Sequence, residues 1–149
     1  AMVQLTADGV VLSSANTEIN NLGVLNGVFY TDATTSKPTW SNYSPASNTA
    51  TDITALITDD PMAMYEIMSA DTAFNANEVG HCADQVFANG VSPLYISRSK
   101  ISATTANTKA QLKIIGISRD PEHSDITVEG FALRVMINEH ILGNNVAGI

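Results

Sequence analysis

His81 and Cys82 stand side by side, with Asp84 two residues beyond, and this trio is the best placed in the chain for metal or thiol chemistry. A zinc site draws its ligands from spaced pairs such as C-x2-C, whose side chains converge across a turn. Adjacent side chains on an irregular segment do not converge in that way, so no metal is expected here. Cys82 is the only cysteine, which rules out an intrachain disulfide. A lone thiol is more often a small buried side chain than a nucleophile. The alternative is a small hydrolase built on Cys82 and His81, which would need a depressed thiol pKa. The other two histidines each follow a glutamate, as Glu122-His123 and Glu139-His140, in separate segments, and no H-E-x-x-H occurs. G-x-S-x-G and the phosphate-cradling glycine loops are also missing. Asp59-Asp60 could offer carboxylates to calcium, but no EF-hand loop surrounds them, and Asp before Pro61 serves to open a turn. Asp120 to Asp125 reads as a solvated loop. The expectation is no catalytic, cofactor-binding or metal-binding residues, no cofactor, and no enzymatic activity.

The elements that would position these residues are strands. Phe131, Leu133, Val135 and Ile137 alternate with Ala132, Arg134, Met136 and Asn138, the period of a strand with one buried face. Gln111 to Ser118 reads as another, with Gly116 breaking the alternation as a bulge would. Leu112 and Ile114 then share one face, and Ile115 and Ile117 the other. Met62 to Met68 and Tyr95 to Ile101 read as shorter strands. Asn26-Gly27 between Val24-Leu25 and Val28-Phe29-Tyr30 predicts a hairpin, because Asn-Gly accepts the positive φ of a type I′ turn. The stretch 71–87 allows one short helix or two turns, broken near Gly80. The fold class expected is all-β (β-rich): one compact β-sandwich or barrel-like domain over 1–149, with long loops and at most one or two short helices. A flexible amino-terminal segment (about 1–20) and a long polar loop (31–52) complete it.

That polar loop carries Trp40 and Tyr43. Aromatics in a polar loop either pin it to its own domain or anchor a partner. Together with Lys37 they are the candidate partner-binding residues. A chain of 149 residues suits one domain that buries roughly 70% of its unfolded surface. No secretory signal and no apolar run near the ~20 residues of a membrane span are visible, which predicts a protein made in a cytoplasm with no membrane partner. The net charge is −8. Before residue 90 there are ten acids against one base, Lys37, and from Arg98 onward six bases against five acids. An acidic surface argues against direct nucleic-acid binding. The imbalance either serves solubility alone or offers an acidic face to a basic partner or to another copy.

The succession Asp59-Asp60-Pro61-x-x-x-Tyr65-Glu66-Ile67, then Val79-Gly80-x-x-Ala83-Asp84, resembles the centre of a family of small virion proteins of tailed bacteriophages, including podoviruses of cyanobacteria and marine bacteria. The likeness continues through Ser97 to Ile101, Thr104 to Thr108, Ala110 to Ile117, Arg119-Asp120 and Val135 to His140, covering roughly residues 22 to 142. The chain departs from the family in lacking its usual glycines over 71–78, and in placing Cys82 where a small or polar residue is common. The resemblance implies a head decoration, or cement, protein on the outer surface of the expanded capsid. Its partners would be the major capsid protein and itself, as a homotrimer, at three-fold and quasi-three-fold positions. Two other readings are a tail or adaptor component of the virion, and a β-sandwich carbohydrate-binding module stacking sugars on Trp40, Tyr43 and Tyr95.

Overall fold

The computed structural model describes residues 1–149 apart from 16, 18, 46, 47, 73, 103, 104, 107, 144–147 and 149. Thr104 and Asn107 of the family-like stretch, and part of the loop at 46 and 47, therefore lie outside the described residues. The protein is all-β, built from open antiparallel sheets rather than a closed barrel.

The first sheet gathers β1 (Met2–Thr6), β2 (Gly9–Leu12), β3 (Asn21–Thr31), β4 (Pro38–Ser41) and β5 (Thr54–Thr58). β3 is its axis. β1 pairs with residues 21–24 and β4 with residues 28–31, while β5 pairs with 24–29 along the opposite edge. The hairpin expected at Asn26-Gly27 does not form, and β3 runs straight through it for 11 residues. Asn26 becomes the extra residue of a bulge against β5, its side-chain amide donating to Thr58 Oγ1 at 2.9 Å. Gly27 is retained for space: a Cβ there would collide with the indole of Trp40. Where a flexible amino-terminal segment was expected, residues 2–12 form a hairpin with Met2 and Val3 buried. Part of the loop expected over 31–52 is likewise strand β4.

The second sheet has the order β6 (Met64–Met68), β11 (Ala132–Ile137), β10 (Leu112–Ile117), β7 (Cys82–Ala83). β8 (Gln85–Val86) and β9 (Lys100–Ile101) form a separate two-stranded ribbon. The strand expected over Tyr95 to Ile101 is therefore reduced to β9. Among the described residues between 71 and 87 there is one 3-10 turn, Ala76–Glu78, followed by β7 and β8.

β10 carries the anticipated bulge: Ile114 faces Val135 and Gly116 faces Arg134, leaving Ile115 over. That extra residue returns Ile117 to the inner side, opposite Leu133 and packed against the core with Ile114. Ile117 and Ile115 thus do not share a face, because one unpaired residue shifts the two-residue period by one. The core is the inner face of this sheet: Leu112, Ile114, Leu133, Val135 and Ile137, closed by Phe74, Ile101 and Phe131. From the first sheet only Met2 and Val24 enter it.

A buried polar network joins the two sheets. Ser13 Oγ donates to Asn21 Oδ1 (2.8 Å), and Asn21 Nδ2 donates to the Glu139 carbonyl (3.1 Å). Gln85 Nε2 donates to the Ser13 carbonyl (2.6 Å), and Gln111 Nε2 to that of Ala15 (2.8 Å). Backbone bonds from Asn21 N–H to Glu139 and from Ile141 N–H to Asn21 continue the seam. Buried polar groups are tolerated where they are partnered in this way.

Candidate interaction surface

The three residues singled out for partner binding fall in three different places. Trp40 sits in β4, opposite Phe29 of β3, with its ring in the space that Gly27 leaves open. Tyr43 lies beyond β4 and stacks on Tyr95, ring centroids 4.3 Å apart. Beside this pair, Asn42 Nδ2 reaches the Leu94 carbonyl at 3.5 Å. Tyr43 therefore pins the loop to its own domain. Lys37 closes the turn between β3 and β4, where its carbonyl accepts the Asp32 N–H (2.9 Å) and its side chain is exposed.

The two aromatics of the loop end up against opposite faces of the first sheet. Val28 and Phe29 are successive residues of β3 and point to opposite sides. Val28 and Val3 line a groove of about 1200 Å³ whose far wall is the 87–97 segment, and Tyr43 and Tyr95 lie along it. On the other side Phe29 lies between Trp40 and Thr54, with Leu56 next along β5 opposite Gly27. Thr31 is on the same side, two residues on, and its hydroxyl donates to Asp52 Oδ2 at 2.6 Å while its N–H reaches Oδ1 at 3.0 Å. Asp52 is thus held at one end of β5, and Asp59 and Asp60 stand exposed at the other.

Sequence reasoning missed Phe29, Leu56 and Asp52 as members of this surface. Taking Asn26-Gly27 as a turn hid the continuous strand. The alternation of Phe29 with buried Val28 and Tyr30 was the available signal.

The candidates for chemistry are dispersed. Cys82 is fully buried in β7, and burial pushes its thiol pKa up, away from a reactive thiolate. His81 turns its Nδ1 to Thr105 Oγ1, 3.0 Å away. Asp60 is a turn residue, its Oδ1 accepting the Met62 N–H (2.8 Å), and Asp120 does the same for Glu122 (3.1 Å). Glu139 and His140 are buried where the carboxyl-terminal end of the second sheet meets Asn21. Among the described residues no group of three or more His, Cys, Asp or Glu side chains could hold a metal ion, and no helix is long and apolar enough to cross a membrane. Comparison with protein-family models, with curated proteins and with solved structures found no match.

Proposed function

We propose that the chain is a structural virion protein of a tailed bacteriophage, bound to the outer surface of the expanded capsid and cementing neighbouring capsomers. The observation that carries this reading is the amount of apolar side chain left exposed on open sheets, including Leu12, Phe29, Trp40, Leu56, Met64 and Met68. Phe29, Trp40 and Leu56 are neighbours across three strands, and contiguous apolar surface of that kind marks a binding face, while open sheets leave strand edges that association relieves. The likeness of Asp59 to Ile67, and of the stretches after it, to small phage head proteins supplies the partner. That partner is the major capsid protein, met by a homotrimer.

The action is thermodynamic. A ligand that binds only the expanded shell stabilises it by about 2.7 kcal/mol per site at a hundredfold excess over Kd. A trimer holding several capsomers at once gains further through effective concentration. Sugar stacking is less well supported, since Tyr43 and Tyr95 occupy each other's ring faces. Thiol hydrolysis is opposed by the burial of Cys82.

Co-sedimentation with expanded and unexpanded heads of the phage that encodes the chain tests the reading. Saturable binding to expanded heads alone is the expected result. No binding to either form would overturn it and favour a tail component or a sugar-binding module.

A further inference from the structure

We propose that the side facing the capsid is the Phe29, Trp40 and Leu56 face of the first sheet, and that it meets a protein surface with an apolar centre flanked by lysine or arginine side chains. The inference rests on the capsid-binding reading and names the docking face within it. Phe29, Trp40 and Leu56 are 47%, 53% and 45% exposed. Singly exposed apolar residues are ordinary, but these three occupy neighbouring positions on β3, β4 and β5. Gly27 lies among them without a side chain, and the indole fills its space, which keeps the face low and continuous. Trp and Phe supply large contact area at small cost in side-chain freedom, the residue types that anchor interfaces.

The charges around the face select the partner. Asp52 is fixed on the Phe29 side by Thr31, Asp59 and Asp60 lie at the far end of β5, and Asp32 sits in the turn after β3. Hydrogen bonds from Thr31 and Thr35 hold the Asp52 and Asp32 carboxyls below the usual carboxylate range, so both stay ionised. The one base in the first 97 residues is Lys37. Pairing of this face with the same face of a second copy would set these carboxylates against one another, because a two-fold interface repeats one patch on both sides. A partner carrying cations around an apolar centre removes that repulsion and adds attraction.

The test compares binding to expanded heads by co-sedimentation at low and high salt. It uses wild type, the double variant Phe29→Ser/Leu56→Ser, the variant Asp59→Lys, and a control, Met62→Ser/Val128→Ser, outside the face. Circular dichroism and urea midpoints establish that each variant is folded. The double variant is expected to weaken binding by about tenfold or more, as loss of interface anchors does. Asp59→Lys is expected to weaken it at low salt and to flatten its salt dependence, while the control binds like wild type. Wild-type binding that the face variants leave unchanged would overturn this inference alone. So would a double variant that dissolves a homo-oligomer in sedimentation velocity while still binding heads. Wild type that binds no heads would overturn the capsid reading and this inference with it.

Discussion

At the scale of single residues, the polar side chains with most leverage are buried ones. Replacing Asn21 with Ala removes the acceptor of the Ser13 hydroxyl and the donor to the Glu139 carbonyl. Leaving such groups unpaired costs roughly 1–3 kcal/mol, so Asn21→Ala is expected to lower the urea midpoint with little change in slope. Cys82 should react slowly with a thiol reagent in the folded protein and rapidly in urea. Fast labelling of the native state would revive the hydrolase reading. His140 gives the chain a pH dependence. Burial lowers its pKa from the ordinary 6.5, against the opposing pull of Asp59 and Asp60. The unfolded chain then takes up the proton more readily, so stability falls as pH drops through 6.5 towards the lower folded value. Glu139 acts in the opposite sense. Burial raises its carboxyl above 4.5, so its contribution is fullest below that value and declines as pH rises through the folded pKa. Urea midpoints measured from about pH 7.5 to about pH 5.5 should therefore decline for wild type and be flatter for His140→Asn.

At the scale of elements, the central strand of the first sheet shows how tertiary pairing overrides a local signal. Asn-Gly favours a tight turn, yet 24–29 has β5 on one side and β1 and β4 on the other, and the strand stays extended with one bulge. Gly27→Ala should press the new methyl into the Trp40 ring and the Ser41 carbonyl. The expected result is a displaced indole, read as a change in its fluorescence emission, with a loss of about 1–3 kcal/mol typical of overpacking. The amino-terminal hairpin is structural. It contributes Met2 to the core and Ser13 to the polar seam. Removing residues 1–14 should abolish cooperative unfolding rather than trim a tail, and the urea transition would reveal it.

At the scale of the whole molecule, the fold places the core against the inner face of the second sheet and leaves much of the first sheet's apolar surface outside it. That division is expected of a protein whose surface is completed by assembly, and it carries both the capsid reading and the choice of docking face. The charge imbalance has a place in this arrangement. Of the acids in the first 63 residues, Asp32 lies in the turn after β3 and Asp52, Asp59 and Asp60 lie beyond the two ends of β5, flanking the exposed aromatic face, while Asp8 lines the groove on the other side.

Strand content, the alternation of β11, the bulge in β10 and the turn chemistry of Asp60 were legible in the chain itself. Each depends on residues within a few positions of one another. The faces taken by Trp40 and Tyr43, the straight run through Asn26-Gly27 and the fixed amino terminus were not. Nor was the seam from Ser13 through Asn21 to Glu139, whose partners lie 8 and 118 residues apart. Alternation tells that one side of a strand is buried. Which sheet or loop covers that side, and which apolar residues are left over for a partner, is decided only when distant strands pair.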